Sequence, residues 1–212
     1  MTTTKPPFLI LASKSPRRRY LLKQAGVEFT VIPSSFDEST ISDANPENFV
    51  RVLAQAKARV VSEQYPQSWV MGADTIVVVD DTILGKPVSK AEARSMLTTL
   101  SGRVHRVLTG FSLCCMAKND DYVQVVSTDV RFKNLTPDEI EWYVHTSEPH
   151  DKAGAYAAQG LGAFMIRHIY GSYSNVVGLP VCEVVDCLVR EGIVEFRPGG
   201  QGVERLYMKD EG

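Results

Sequence analysis

Hydroxyl and cationic side chains are concentrated where a predicted strand passes into a predicted helix. The apolar run 8–12 predicts a buried strand, and apolar residues over 21–25, followed by Gly26, predict a short helix that ends at the glycine. The corner between them carries Ser13, Lys14, Ser15, Arg17 and Arg18. Free N–H groups at a helix start favour an anion, and arginine can bind a phosphate through two hydrogen bonds. The corner therefore predicts a phosphate site, with a solvated basic helix face as the alternative.

A single carboxylate, Asp74, lies inside the most apolar stretch of the chain. Residues 69–79 are rich in β-branched and apolar side chains and predict a strand that Asp74 interrupts. Burial of a charge is costly unless the group is paired or binds a metal, so Asp74 predicts a functional carboxylate. The alternatives are an edge-strand aspartate that faces solvent and a carboxylate paired with an arginine.

Two further carboxylates and two lysines could complete a site. Asp37 and Glu38 are adjacent in a polar loop and suit a hard cation such as Mg²⁺, or else form a solvated acidic loop. Lys86 stands in a glycine–lysine–proline break, whereas Lys57 lies in a predicted helix, where a lysine is usually solvated. Together with Asp74 and the basic corner, these groups fit metal-assisted attack of water on a phosphoryl group.

Composition and missing motifs exclude several classes of protein. A net charge of −2 over 212 residues argues against a general nucleic-acid binder. No apolar run approaches about 20 residues and the start of the chain is polar, so the sequence predicts no membrane span, no signal peptide and a cytoplasmic location. The histidines show no metal-binding spacing, and serine-hydrolase and Walker motifs are absent. The four cysteines predict buried free thiols, at Cys114, Cys115, Cys182 and Cys187.

The remaining patterns predict the elements that hold these residues. Helical spacing and capping signals predict helices over about 45–64, 89–100, 136–145 and 179–190. Apolar runs and alternation predict strands over about 29–33, 82–84, 103–116, 122–133 and 163–169, with a turn over 171–175. Strands and helices in this order fit a mixed sheet flanked by helices, in the α/β class.

Short motifs along the chain occur in the order of one known family. They are LASKSPRR at 11–18, FDES at 36–39, AKA at 56–58, GADTIV at 72–77, GKP at 85–87, LSG at 100–102, DKAGAYAAQG at 151–160 and NVVGLP at 175–180. Over residues 8–190 the chain resembles the Maf family of nucleoside triphosphate pyrophosphatases. Several motifs in the right order make this resemblance far more specific than any one motif alone.

The resemblance implies an enzyme that cleaves a nucleoside triphosphate to the monophosphate and pyrophosphate, with a divalent metal such as Mg²⁺ or Mn²⁺. It implies an α/β fold with an elongated mixed β-sheet flanked by helices, similar to that of inosine triphosphate pyrophosphatases. The implied organisation is a single domain over 1–212, with a core over about 8–190 and a tail over 191–212. It also implies a cytoplasmic homodimer that acts on a small molecule, without a nucleic-acid or membrane partner.

Carried over residue by residue, the resemblance assigns roles to the residues already singled out. Asp74 is the implied proton acceptor that activates water. Glu38 and Asp74 are the implied metal ligands. The implied phosphate-binding residues are Ser13, Arg17, Arg18, Lys57 and Lys86.

Two branches of the family differ in the base that they prefer. One acts on dTTP and UTP, including modified pyrimidines, and the other acts on 7-methyl-GTP. The chain is similar to the first branch at Arg17, Thr75 and Gln159, and the last two could read a pyrimidine edge. It departs from that branch at Gly85, where we expect glutamate, and at Ala157–Ala158, where we expect Gly-Ile. The alternatives are 7-methyl-GTP hydrolysis and a nucleotide-binding regulator of cell division.

Overall fold

One mixed sheet flanked by helices forms the centre of the computed structural model, which describes residues 8–42, 45–196 and 203–205. The strands of this sheet are β1 (Leu9–Leu11), β2 (Thr30–Val31), β3 (Trp69–Val79), β4 (Thr82–Leu84), β5 (Val104–Cys115), β6 (Asp120–Phe132) and β7 (Ile166–Tyr170). The described helices are α1 (Pro16–Gln24), α2 (Pro46–Ser62), α3 (Lys90–Leu100), α4 (Pro137–Val144), α5 (Tyr173–Val177) and α6 (Val181–Arg190).

The topology places one strand, β3, at the junction of a parallel and an antiparallel half. The strand order is β2-β1-β3-β5-β6-β7, and β4 pairs with one end of β3. β1 is parallel to both neighbours, whereas β3, β5, β6 and β7 form an antiparallel series. Parallel neighbours need crossover connections, which α1 and α2 provide. The predicted mixed sheet flanked by helices is confirmed.

Polar residues at the helix starts fix where four of the described helices begin. Ser15, Asn45, Ser89 and Thr136 each accept a hydrogen bond from the backbone N–H three residues further on. Such caps satisfy N–H groups that have no partner within the helix. Proline follows three of these caps, at a position where its missing N–H costs nothing. The predicted starts of these helices are confirmed.

Two predicted elements near the C-terminal end differ from the structure. The predicted strand over 163–169 is shortened to β7, because Leu161–Met165 forms a 3₁₀ turn. The predicted turn over 171–175 is instead helix α5, in which the Ser172 side chain accepts from the Asn175 N–H at 3.2 Å. Both segments are short, so their surroundings outweigh intrinsic propensity.

The cysteine prediction is confirmed at three positions and wrong at the fourth. Cys114, Cys115 and Cys187 are buried free thiols, whereas Cys182 is exposed. Cys182 and Cys187 are five residues apart on α6, a spacing that places two side chains on different helix faces. Burial raises the pKa of Cys114 and of Cys187 to about 11.

The C-terminal segment contains a strand pair that the sequence did not predict. β8 (Val194–Phe196) pairs antiparallel with β9 (Val203–Arg205). Residues 1–7, whose polar character predicts that the chain has no signal peptide, and most of the tail after 196 lie outside the described residues. Within the residues described above, no helix has the length and apolar character needed to cross a membrane.

Candidate active site

A cleft of about 380 Å³ opens beside the start of α1, the middle of β3 and the turns that follow α4. A volume of this size is typical of small-molecule sites. The cleft is lined by every residue to which the family resemblance assigns a role, namely Ser13, Arg17, Arg18, Glu38, Lys57, Asp74, Thr75, Lys86 and Gln159. The fold therefore brings together side chains from motifs that are far apart in the sequence.

One lysine bridges two carboxylates in the cleft. Lys57 Nζ lies 2.7 Å from Asp74 Oδ1 and 2.8 Å from Glu38 Oε1. Only 11% of the Lys57 side chain and 12% of the Asp74 side chain are exposed, against 55% for Glu38. A charge-assisted hydrogen bond offsets the cost of burying these groups and fixes the orientation of the Asp74 carboxylate.

The sequence predicts that Asp74 interrupts the strand, but in the structure Asp74 lies within the continuous strand β3. Its backbone pairs with Gly110 of β5 in the antiparallel ladder. β3 is an internal strand of the sheet and Asp74 is buried, so it is not an edge-strand aspartate that faces solvent, and its partner is a lysine rather than an arginine. The ladder satisfies the backbone and Lys57 satisfies the side chain, so a polar residue is accommodated inside an apolar strand.

The position of Lys57 depends on a close approach of α2 to β3. Leu53, Ala54, Ala58 and Val61 bury the face of α2 that packs on the sheet, and Lys57 lies on this same face. At Gly72 of β3, a Cβ atom would lie 2.2 Å from the Ala54 carbonyl oxygen. Only glycine permits this approach, which brings Lys57 within reach of Asp74. The alternative of a solvated Lys57 is wrong.

The adjacent carboxylates Asp37 and Glu38 have different surroundings. Asp37 lies outside the cleft lining, and hydrogen bonds from the Ser39 side chain and backbone lower its pKa. Partial burial alone would raise the pKa of Glu38, but the hydrogen bond and charge of Lys57, with the charges of Lys86 and Arg18, hold it below its usual value. The carboxylate pair of the cleft is therefore Glu38 and Asp74, and not Asp37 and Glu38.

Arg18 is a buried connector between α1, β3 and the turn after α5. Its guanidinium donates to the carbonyl oxygens of Ala73 at 2.8 Å and Gly178 at 2.9 Å, and to the side chains of Ser13 at 3.1 Å and Thr75 at 3.0 Å. Burial lowers its pKa from the usual value. These bonds engage four of the five N–H donors of the guanidinium, so one N–H is left for a ligand.

The remaining cationic residues of the cleft are more accessible. Arg17 lies 3.3 Å from the Asp151 carboxylate, and its side chain is 28% exposed. Lys86 is exposed and also lines the cleft. Ser13 is buried, and its hydroxyl accepts from the Ser15 N–H at 3.2 Å. We name residues 13–18 the phosphate corner, since this segment combines cationic groups with the N-terminus of α1.

Among the remaining residues of the cleft lining, Thr75 and Gln159 differ in how their polar groups are used. The Thr75 hydroxyl contacts Arg18, lies 2.9 Å from the Thr109 hydroxyl and lies 3.3 Å from the Gly178 carbonyl oxygen. Gln159 is half-buried in the segment 157–162, which we name the base loop. Thr75 is thus part of the Arg18 network, whereas Gln159 belongs to a separate turn.

Among the cleft-lining residues that sequence reasoning missed are Asp151, Lys152 and Tyr156. Partial burial alone would raise the pKa of Asp151, but the hydrogen bond and charge of Lys152, together with Arg17, hold it below its usual value. The Tyr156 hydroxyl lies 2.9 Å from His105 Nε2, beneath the cleft. The DKAGAYAAQG motif contains Asp151, Lys152 and Tyr156, but nothing in its composition separates cleft residues from packing residues.

The carboxylate oxygens of the cleft suit a hard divalent cation that the phosphates of a substrate also bind. Among the described residues there is no cluster of three or more His, Cys, Asp or Glu side chains that could enclose a metal. Glu38 and Asp74 supply carboxylate oxygens in reach of one ammonium group. Mg²⁺ is commonly bound by one or two carboxylates, several waters and the phosphates of a substrate, so two carboxylates are sufficient.

Comparisons with known proteins show which family the chain resembles. A family model described as "Maf-like protein" matches residues 8–191. A dTTP/UTP pyrophosphatase from Syntrophus aciditrophicus is 52% identical over 188 residues, which are 89% of this chain and 92% of the relative. A dTTP/UTP pyrophosphatase from Symbiobacterium thermophilum is 50% identical over 194 residues, which are 92% of this chain and 98% of the relative.

Solved structures show the same fold at low sequence identity. A Ham1 protein from Staphylococcus aureus aligns with a TM-score of 0.51 and 13% identity, over 86% of this chain and 98% of the other. A HAM1 protein from Coxiella burnetii aligns with a TM-score of 0.50 and 14% identity over the same shares. The predicted fold class is confirmed. With the family model covering nearly all of the described core, the chain belongs to the Maf family.

Proposed function

We propose that this protein hydrolyses dTTP and UTP, including modified pyrimidine triphosphates, to the monophosphate and pyrophosphate, with a divalent metal. Relatives that are about 50% identical to this chain over about 90% of its length are named dTTP/UTP pyrophosphatase. On this basis the chain is an enzyme, a nucleoside triphosphate pyrophosphatase that acts on a phosphoric anhydride. The observation that carries the proposal is the bridged pair Asp74–Lys57–Glu38 in a cleft that also contains the phosphate corner.

Asp74 has the geometry of a proton acceptor. Lys57 binds Oδ1, and no described residue donates a hydrogen bond to Oδ2, which can accept from water. As the water oxygen bonds to the α-phosphorus, its proton passes to Asp74 and the bond from the α-phosphorus to the bridging oxygen breaks. The pyrophosphate leaves with that oxygen. A positioned base of this kind typically contributes about 10²–10⁴-fold to the rate.

Glu38 and Asp74 would hold the metal, which we propose to be Mg²⁺ or Mn²⁺. When bound, such an ion neutralises phosphate charge and lowers the pKa of a coordinated water. Lys57 contacts both carboxylates and would hold them at the correct spacing before the substrate arrives. One of its three N–H donors remains for a phosphate oxygen.

The phosphates would bind at the phosphate corner and at the two lysines. Arg17 and Lys86 are the accessible cations, and the N-terminus of α1 adds backbone N–H groups. Arg18 would contribute one N–H and also hold Ser13 and β3 in position, so its role is partly to position its neighbours.

The base would be read by Gln159 in the base loop. Gln159 offers an amide donor and acceptor, which match the edge of a pyrimidine. Thr75 and Arg17 complete the proposed specificity set, although the Thr75 hydroxyl also contacts Arg18. A protein that only binds nucleotides would not need a buried carboxylate bridged by lysine, so the arrangement favours an enzyme over a binding regulator. We also propose a cytoplasmic homodimer with one catalytic domain, as the family resemblance implies.

Product analysis in ¹⁸O-water tests this proposal. With Mg²⁺, dTTP and UTP should give higher kcat/KM values than GTP, ATP and 7-methyl-GTP, and ¹⁸O should appear in the monophosphate. A site built to bond one base edge penalises a base that leaves its polar groups unpaired. Label confined to orthophosphate would contradict attack at the α-phosphorus. A kcat/KM for 7-methyl-GTP equal to that for dTTP would contradict the pyrimidine assignment.

A further inference from the structure

The base loop is attached to the rest of the molecule by two side chains outside the cleft lining. The Glu148 carboxylate accepts from the Leu161 N–H at 2.9 Å through Oε1 and from the Gly162 N–H at 2.8 Å through Oε2. The Tyr143 hydroxyl donates to Glu148 Oε2 at 2.8 Å and accepts from the Ala157 N–H at 3.2 Å. Both ends of the base loop therefore bind one pair of side chains, with Gln159 between them.

The two glycines of the base loop leave room for the Tyr143 and Glu148 side chains. Gly160 has φ +113°, and a Cβ there would lie 2.0 Å from Glu148 Oε1. A Cβ at Gly162 would lie 2.7 Å from the Tyr143 hydroxyl oxygen. The Gly160-Leu161-Gly162 sequence is thus explained by close packing against Tyr143 and Glu148.

The pair acts as one hydrogen-bonded unit. Burial, the hydrogen bond to Glu148 and the charge of Glu148 all raise the pKa of Tyr143, so the hydroxyl keeps its proton and donates. Tyr143 is held in the core beside α3 and β7, whereas Glu148 follows α4 in a turn. A carboxylate that accepts three hydrogen bonds is a strong and directional anchor for a segment without regular structure.

We propose that Tyr143 and Glu148 are positioning residues for base selection, which hold Gln159 in the geometry that distinguishes pyrimidine from purine triphosphates. The proposal rests on the base-reading role given to Gln159 above. Neither side chain lines the cleft, so neither touches substrate. Their effect would pass through the base loop, because the main chain on both sides of Gln159 binds them.

Steady-state kinetics of Glu148→Gln, Tyr143→Phe and Gln159→Ala test the proposal. With Mg²⁺, we expect Glu148→Gln and Tyr143→Phe to raise KM for dTTP about tenfold while kcat changes less than about threefold. Such a result means that the lost interaction stabilised the ground state and the transition state equally. The ratio of kcat/KM for dTTP to that for GTP should fall. Inhibition by inorganic tripolyphosphate, which has no base, should stay unchanged. Glu141→Gln is the matched control and should behave as wild type. Glu141 lies on α4, and its carboxylate forms a salt bridge with Arg94.

A double variant shows whether the effect passes through Gln159. If it does, Glu148→Gln should add little to the change that Gln159→Ala makes alone, because coupled residues are not additive. Two results would overturn the positioning role and leave the proposed function intact. One is additive effects in the double variant. The other is a ratio of kcat/KM for dTTP to that for GTP that stays unchanged in both Glu148→Gln and Tyr143→Phe while Gln159→Ala lowers it. An unchanged ratio in Gln159→Ala itself would refute the base-reading role and the positioning role together. Thermal unfolding measures whether each variant is folded. If Glu148→Gln does not fold, Tyr143→Phe and the double variant of Tyr143→Phe with Gln159→Ala test the positioning role instead.

Discussion

Two parts of the cleft lining, which we name the phosphate end and the base end, are built by different means. At the phosphate end, the side chains stand on or beside regular elements, with Asp74 in β3, Lys57 in α2 and Arg18 in α1. An ionic hydrogen bond joins Lys57 to Asp74, and Arg18 donates to the Ala73 carbonyl oxygen of β3. At the base end, Gln159 stands in a turn between short 3₁₀ segments, and side-chain-to-backbone bonds hold it. Reaction chemistry requires fixed charges, whereas recognition can vary with a loop on a rigid scaffold.

The two ends also differ in the charge state of the groups that support them. Lys57 and the Glu38–Asp74 carboxylates form an ionic unit at the phosphate end. Beneath the base end, Tyr156 contacts a buried His105 whose pKa burial lowers to about 4, so the histidine is neutral near pH 7. Mutations at the phosphate end should therefore affect catalysis and phosphate affinity, whereas those at the base end should affect selectivity and acid stability.

The largest expected effect is that of Asp74→Asn. The asparagine keeps the size of the side chain but cannot accept the proton, so kcat for dTTP should fall by at least about 10²-fold. Binding of a non-hydrolysable dTTP analogue and its preference over a GTP analogue should stay largely intact, because the base end is untouched. Asp129→Asn, an exposed aspartate on β6, is the matched control. A near-normal kcat in Asp74→Asn at saturating dTTP and Mg²⁺ would mean that another group is the base.

A smaller effect is expected when the accessible cations of the phosphate end are removed. Arg17→Ala and Lys86→Ala should each weaken binding of the analogue by about 1.5–3 kcal/mol, the usual contribution of hydrogen bonds to charged groups. Isothermal calorimetry gives the affinity. The charge of Arg17 is already partly paired with Asp151, so we expect Lys86→Ala to have the larger effect.

Inorganic tripolyphosphate sharpens this comparison. Its affinity should fall in Arg17→Ala and Lys86→Ala as much as that of the analogue, since both ligands share the phosphate chain. Arg19→Ala, an exposed arginine on α1 outside the cleft lining, should bind both ligands normally. Unchanged affinity in both cleft variants would place the phosphates elsewhere.

The sequence predicts the phosphate end better than the base end for a physical reason. A carboxylate in an apolar strand and a capped helix start leave local signals, so Asp74 and the phosphate corner are visible from residue types alone. The partner of Asp74 is not visible, because it depends on the close packing of α2 at Gly72. Lys57 has the ordinary appearance of a solvated helix residue until the helix is placed on the sheet.

At the base end, the decisive contacts join side chains to the backbone of distant turns. Glu148 follows a helix and has no pattern that marks it, yet its carboxylate binds two N–H groups of the base loop. The short elements of this region, β7 and α5, were also the ones predicted wrongly in extent or type. Where tertiary hydrogen bonds rather than local propensity set the backbone, sequence patterns carry little information.

The smallest expected effect is on stability and concerns the neutral support of the base end. The pKa of His105 is about 4 in the folded protein and near 6.5 when unfolded, so between these values the unfolded chain binds more protons. His105 therefore makes the free energy of unfolding decrease as the pH falls from 6.5 to 4, by up to about 3 kcal/mol. Urea unfolding across this range should show a shallower decrease in His105→Gln, whose amide can still bond to Tyr156.

The ionic phosphate end loses stability in a different pH window. The pKa of Glu38 is below its usual value of 4.5, so the stability that this group contributes is lost only as the pH falls below that value. A decrease that begins near pH 6.5 therefore belongs to the histidine and not to Glu38. His168→Gln, an exposed histidine on β7, should keep the wild-type profile. An equally steep decrease between pH 6.5 and 4.5 in His105→Gln and wild type would show that His105 titrates normally, and the contrast between a neutral and an ionic end would not hold.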